Sequence, residues 1–206
     1  MAMGRYTARN GLRAVLGRAI AVCCIVGAGI VPIRGQQPFV TVEGDLRFVA
    51  WWVAADFHPF TTKVRGIPTA KIRKNWCKAT EFRKDLIPKE LLFEGGVDGM
   101  EASKVSFAIE GHFDGTATKQ VALVGVYQEC SGQKGRFILI LDLPRSGPPR
   151  VRFVNALATP NQFGALSLGQ DNSIVAWPCM ECDNTSVLKW DPQKRRFDWA
   201  PDSEEE

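Results

Sequence analysis

The sequence predicts a mainly β protein of the α+β kind, in which an antiparallel meander of about seven or eight strands follows a small helical or irregular N-terminal part. Beyond residue 102, short apolar or alternating runs recur between polar turn clusters, which is typical of antiparallel strands. No connection between these runs is long enough for the crossover helix that parallel strands need. The chain is 45% hydrophobic with 12 Phe and 6 Trp, which is enough to bury a sizeable core.

Four segments follow from this pattern: residues 1–35, 36–100, 101–200 and the acidic tail 201–206. The first has the pattern of a secretory signal peptide, because it has several arginines, no acidic residue and the apolar run Ala19–Ile33. That run is shorter than the roughly 20 residues that a membrane-spanning helix needs. An uncleaved signal anchor and a lipoprotein modified at Cys23 or Cys24 are the alternatives. We expect a secreted or periplasmic protein with no stable membrane span after cleavage.

The basic character of the chain comes from this first segment. The whole sequence has 26 basic and 22 acidic residues, a net charge of +4. Residues 1–35 hold five of the basic residues and none of the acidic ones, so the remainder has 21 against 22, a net charge near −1. We therefore expect no nucleic-acid partner, since no overall positive charge is left to attract one.

Residues 36–100 are predicted to hold two short helices. The run Leu46–Phe57 fits both a helical and a strand face, and its alanines favour a helix. A second helix is expected over Thr80–Ile87, with Thr80 as its cap and Pro88 preventing simple continuation. A glycine-rich loop at residues 95–99 then marks the main boundary.

Basic residues concentrate between Lys63 and Lys89, where nine face only two acidic residues. Part of this segment is predicted to bind a polyanion of the cell envelope or an acidic partner protein. The predicted surface comprises Lys63, Arg65, Lys71, Arg73, Lys74, Trp76 and Lys78. The alternative is a solvated face that the acidic tail partly balances.

The predicted strands of residues 101–200 begin with an alternating run at Val105–Ile109 and two apolar runs, Val121–Tyr127 and Phe137–Leu141. Further strand positions are Val151, Phe153, Val187, Trp190, Phe197 and Trp199. Turn residues separate these runs, as the meander requires.

The stretch Glu110–Gly115, followed by Gln120–Val124, resembles one FG-GAP or VCBS-type repeat of β-propeller proteins. The resemblance implies a blade-like turn and strand. In that family the turn binds calcium through several acidic residues, but here only Asp114 matches and His112 stands at the first acidic position. Calcium needs six to eight oxygen ligands. We therefore expect no metal and no cofactor.

Four cysteines remain after signal removal, and an even number in an exported chain predicts disulfides. The economical pairing joins Cys77 to Cys130 and Cys179 to Cys182. The spacing of the second pair also fits a thioredoxin-like redox site or half of a zinc site. Pro178 and the polar residues that follow Cys182 indicate a turn between strands, which favours a structural disulfide.

No motif for nucleophilic, zinc-dependent or phosphate chemistry occurs in the chain, so we predict no catalytic residues. His112 with Asp114, and His58 alone, are interpreted as turn and packing residues. The leading hypothesis is an exported non-catalytic binding or structural module of the cell envelope. The alternatives are a thiol-disulfide oxidoreductase that uses Cys179 and Cys182, and a hydrolase built on His112 and Asp114.

Overall fold

Strands dominate the computed structural model, which describes residues 38–44, 49–92, 97–179 and 185–201. These residues form thirteen strands: β1 (Val40–Val42), β2 (Ala55–Phe57), β3 (Lys63–Val64), β4 (Ile67–Pro68), β5 (Trp76–Glu81), β6 (Ala108–Gly111), β7 (Lys119–Glu129), β8 (Lys134–Leu143), β9 (Arg150–Leu157), β10 (Ala165–Leu168), β11 (Ile174–Trp177), β12 (Ser186–Asp191) and β13 (Arg196–Trp199). Their helices are α1 (Trp51–Ala54), α2 (Thr69–Ile72) and α3 (Val97–Ala102). Short 3-10 turns occupy Lys84–Leu86, Lys89–Leu91 and Gln170–Asn172. The predicted signal peptide, Cys182 and the acidic residues of the tail lie outside the described residues.

The mainly β, antiparallel fold class is confirmed, and residues 101–200 contribute eight described strands, β6 to β13. They lie in two sheets rather than one. The larger sheet has the order β5-β7-β8-β9 with β6 also paired to β7, and the smaller has the order β10-β11-β12-β13. The remaining described strands form two-stranded ribbons, β1 with β2 and β3 with β4. Two sheets allow each to bury one apolar face against the other.

β7 is the central strand of the larger sheet. One edge pairs along its length with β8, and the other edge is shared, first by β6 and then by β5. The change of partner occurs at Val124, whose N–H donates to Phe107 O at 3.0 Å and whose carbonyl accepts from Phe82 N at 3.0 Å. Both edges of β7 are therefore hydrogen-bonded across this switch.

The two faces of the larger sheet bury different cores. Alternate residues of β7, among them Ala122, Val124 and Val126, pack with residues of the smaller sheet such as Leu166 and Leu188. We call this the inner face. The intervening residues, including Val121, Leu123 and Tyr127, form a second cluster on the outer face. A strand covered on both faces needs apolar residues at successive positions, which explains the unbroken run in β7.

The outer face is covered by β3, β4, α2 and the two residues after it, which we call the cover (residues 63–74). Val64, Ile67 and Ile72 of the cover are buried in the outer-face cluster. Each of them stands beside exposed neighbours in the sequence. The cover thus seals the sheet with its apolar side and presents its polar side outward.

The helix predictions for residues 36–100 were only partly right. Within the described part of Leu46–Phe57, α1 is limited to Trp51–Ala54, and β2 follows it directly. The helix predicted over Thr80–Ile87 is wrong, because β5 occupies its beginning. Thr80 caps no helix: its hydroxyl accepts from Phe60 N at 2.9 Å and from Thr61 N at 3.2 Å. Through β5, the N-terminal part also supplies a strand to the larger sheet.

Gly125 of β7 pairs with Glu81 of β5 and is closely surrounded by its neighbours. A Cβ at this position would lie 2.6 Å from Phe137 Cζ and 2.8 Å from Glu81 Cα. We expect Gly125→Ala to lower the free energy of unfolding by about 1–3 kcal/mol, since the packed core must shift to accept it. Urea unfolding followed by circular dichroism measures the change.

Gly164→Ala is the matched control, because its added Cβ would meet Val124 at an ordinary 3.6 Å. Its stability should change by less than about 1 kcal/mol. Equal effects of the two substitutions would contradict the close approach at Gly125.

Candidate functional site

The disulfide Cys77–Cys130 is present and joins the start of β5 to the residue that follows β7. The two Cα atoms are 5.0 Å apart, and Cys130 N donates to Asn75 O at 2.9 Å beside the bond. Both cysteines are exposed. The cover ends at residue 74. This disulfide therefore holds the residues that follow the cover against the sheet.

The cover carries most of the predicted polyanion surface. Lys63, Lys71, Arg73 and Lys74 are exposed, and none of the four forms an ion pair in the part of the chain that the structure describes. Arg65 is also exposed, but its Nε donates to Glu81 Oε2 at 2.7 Å. The structure therefore brings five of the predicted cations onto the cover, and four of them have no carboxylate partner within the described ranges.

Two residues of the predicted surface, Trp76 and Lys78, do not lie on the exposed side of the cover. Trp76 is 1% exposed and stacks on Tyr127 with ring centroids 4.6 Å apart. Lys78 pairs with Gln128, which alternates with Tyr127 along β7, so Lys78 shares a face with Gln128 and not with the cover. A bulge between Trp76 and Lys78 sets this arrangement. Trp76 was wrongly assigned because a lone tryptophan among basic residues does not reveal which side of a strand is covered.

His112 and Asp114 make separate contacts. His112 Nδ1 donates toward Thr116 O at 3.0 Å and Thr118 O at 3.1 Å. Asp114 Oδ1 accepts from Thr116 N at 3.0 Å, and its Oδ2 accepts from Arg152 Nη2 at 2.9 Å. The two side chains close the turn between β6 and β7, as the structural interpretation expects, and the hydrolase hypothesis gains no support from them.

Arg152 connects this turn to the end of the β8–β9 pair. Its Nε lies 3.4 Å from Asp142 Oδ1, and that oxygen also accepts from Gln120 Nε2 at 2.8 Å. Gln120 Oε1 accepts from Asp114 N at 3.2 Å. The described residues contain no group of three metal-ligating side chains, and Arg152 is the cation beside Asp114. The resemblance to an FG-GAP repeat stays a prediction.

The pKa of Asp114 reflects opposing causes. Burial raises the pKa of this carboxyl, but hydrogen bonds from Thr116 and the charge of Arg152 together outweigh it and hold the pKa below its usual value. The carboxylate is therefore more stable in the folded protein than in the unfolded chain. It stabilises the fold above the unfolded-state pKa, and this contribution is lost as the pH falls through the folded-state pKa.

Cys179 and His58 are the other residues that the sequence singles out. Cys179 is buried and disulfide-bonded, and it follows β11 through Pro178. His58 Nε2 lies 3.0 Å from Thr41 Oγ1, and its Nδ1 lies 3.3 Å from Lys134 Nζ. These contacts tie β1 and β2 to β8.

Sequence reasoning missed a cleft between the two sheets that contains Arg136. The side chain lies in the run Arg136-Phe137-Ile138, where alternation places it on the same face as Ile138. Strand alternation therefore indicates that Arg136 faces inward, but it does not reveal the cleft beside it.

No family model, curated protein or solved structure matches the chain. None of the helices in the described ranges has the length and apolar character that crossing a membrane requires.

The double replacement Cys77→Ser and Cys130→Ser should lower the free energy of unfolding by about 4 kcal/mol in the chain-entropy account. The cross-linked residues are 53 apart in sequence, so the bond restricts a long loop of the unfolded chain. Chemical unfolding of oxidised wild type and variant measures the difference. Equal unfolding midpoints and slopes would contradict it.

Asp114→Asn should lower the free energy of unfolding at neutral pH by about 1–3 kcal/mol, because Arg152 then loses its buried partner. The difference from wild type should shrink as the pH falls below the unfolded-state pKa of about 3.9 and toward the lower folded-state pKa. Asp85→Asn is the control: this exposed carboxylate pairs with Arg83 at 2.9 Å, and its loss should change stability by about 0.5 kcal/mol or less. A pH-independent difference for Asp114→Asn would contradict the lowered pKa.

Proposed function

We propose that the protein is an exported, non-catalytic binding module of the cell envelope, and that its cover binds an anionic envelope polymer. The observation that carries the proposal is the group of four exposed cations on the cover, Lys63, Lys71, Arg73 and Lys74, which have no ion pair with described residues. An anionic polymer supplies the negative charges that the described residues do not place beside these cations.

Export is supported by two independent features. The first 35 residues have the charge pattern of a secretory signal. The exposed disulfide Cys77–Cys130 also fits an oxidising compartment, where such bonds persist. The same bond anchors the chain beside the cover, so the cations are presented from a fixed support.

The expected affinity is low and sensitive to salt. An exposed ion pair contributes about 0.2–1 kcal/mol, so four pairs give only about 1–4 kcal/mol, which corresponds to binding of one short segment with a dissociation constant of about 1 mM or weaker. A polymer raises the apparent affinity because its repeating charges rebind without diffusing away.

Thiol-disulfide chemistry at Cys179 and Cys182 is the alternative from another functional class. Cys179 is buried and oxidised, which supports a structural role. A thiolate at Cys179 with a strongly lowered pKa after mild reduction would favour the oxidoreductase instead.

Neutralising the four cations to glutamine should weaken binding to an anionic polysaccharide such as heparin by roughly tenfold or more, since the electrostatic attraction is lost. Binding of the wild type should itself weaken as salt rises from about 0.05 to 0.5 M. Heparin affinity chromatography and calorimetry measure both effects.

A charge-matched control removes four exposed cations from elsewhere, Lys89, Lys104, Arg145 and Lys189. It should leave binding nearly unchanged. Equal losses in the two variants would indicate a response to net charge alone, and salt-independent binding would contradict the electrostatic basis. Binding of an acidic protein but not of the polysaccharide would replace the proposed partner.

A further inference from the structure

A cleft of about 260 Å³ lies between the two sheets, at the end where β8 begins and β9 ends. The larger sheet lines it with Arg136 and Ile138, and the smaller sheet lines it with Ala176, Trp177 and Trp199. Its volume is slightly below the range of about 300–1,000 Å³ that is usual for small-molecule sites, which suits a small ligand. It lies on the inner face, whereas the cover lies on the outer face, so the two candidate sites are separate.

Arg136 is the one charged side chain among the described residues that line this cleft. Its Nη1 donates to Phe163 O at 2.7 Å and more weakly to Pro178 O at 3.4 Å. A guanidinium has five N–H groups, and those of Nε and Nη2 have no acceptor in the described structure. Together, Nε and Nη2 form the edge that binds a carboxylate with two parallel hydrogen bonds.

Arg152 provides the comparison within the same chain. Arg136 and Arg152 lie at opposite ends of the β8–β9 pair. Arg152 pairs with Asp114 and Asp142, so its charge is balanced by the chain itself. Arg136 is less exposed, and burial lowers the pKa of its guanidinium with no carboxylate of the described residues to counter this. Keeping a charge in an apolar site without a counter-ion is unfavourable, and a bound anion would relieve it.

We propose that the cleft binds a small amphipathic monocarboxylate, with the carboxylate on Nε and Nη2 of Arg136 and the apolar body against Ile138 and Trp177. One guanidinium balances one negative charge, and no second lining cation is present among the described residues for a dianion. Asn155 and Ser186 are further polar residues of the lining. This inference does not depend on polymer binding at the cover.

Octanoate is the test probe, with 1-octanol and acetate as the comparison compounds. Trp177 and Trp199 line the cleft, so tryptophan fluorescence reports occupancy, and calorimetry gives the dissociation constant. Octanoate should bind roughly tenfold or more tightly than 1-octanol, because its charge-assisted hydrogen bonds to Arg136 are stronger. Acetate should show no saturable binding, because it has almost no apolar body.

Arg136→Gln should weaken octanoate binding by roughly tenfold or more and leave 1-octanol binding nearly unchanged. Arg136→Lys keeps the charge but loses the two-pronged geometry, and its affinity should fall between those of wild type and Arg136→Gln. Arg145→Gln removes an exposed arginine outside the cleft and is the matched control.

The proposal is overturned if folded wild type shows no saturable octanoate binding, or if 1-octanol binds as tightly as octanoate. It is also overturned if folded Arg136→Gln retains wild-type affinity for octanoate. The wild-type comparison needs no variant, so the test stands even where Arg136→Gln does not fold. Loss of octanoate binding with heparin binding intact would separate this site from the cover.

Discussion

The burial of β7 on both faces is the constraint on which the other parts of the structure depend. A strand with apolar side chains on both sides requires two covering layers, and its two edges require partners for their backbone groups. The smaller sheet covers the inner face, and the cover (residues 63–74) covers the outer one. β8 satisfies one edge, and β6 and β5 divide the other at Val124. The cover and β5 thus complete a core that residues 101–200 leave open.

This constraint also accounts for the chemical character of the cover. Its short strands and helix must place Val64, Ile67 and Ile72 against the sheet, and most of the other residues of the cover are exposed. Exposed lysines and arginines are ordinary at such positions. The distinguishing feature is the balance of charge: Arg65 is neutralised by Glu81, whereas Lys63, Lys71, Arg73 and Lys74 have no such partner among the described residues.

Sequence patterns predicted the features of the fold that depend on the spacing of nearby residues. Alternation and turn residues located β6 to β9, β12 and β13, and the even number of cysteines led to the pair Cys77 and Cys130. The strands β10 and β11 were not predicted. Features that depend on distant contacts were missed. Thr80 suits a helix cap by its local sequence, but it is fixed in a strand by the backbone N–H groups of Phe60 and Thr61. Trp76 and Lys78 lie on opposite faces of the sheet because a bulge separates them. The cleft beside Arg136 depends on how far apart the two sheets lie, and the sequence of a single strand does not determine that distance.

The position of Arg136 explains how one side chain can serve both the fold and a ligand. Its bonds to Phe163 O and Pro178 O connect β8 to the segment before β10 and to the turn after β11. The first of these segments is fixed in turn, because Gln162 Oε1 accepts from Phe57 N at 3.0 Å and Asn161 Oδ1 accepts from Phe163 N at 3.1 Å. The guanidinium is therefore oriented before any anion arrives, which lowers the entropy lost on binding. Structural anchoring through Nη1 leaves Nε and Nη2 available, so the two roles use different atoms of the same group.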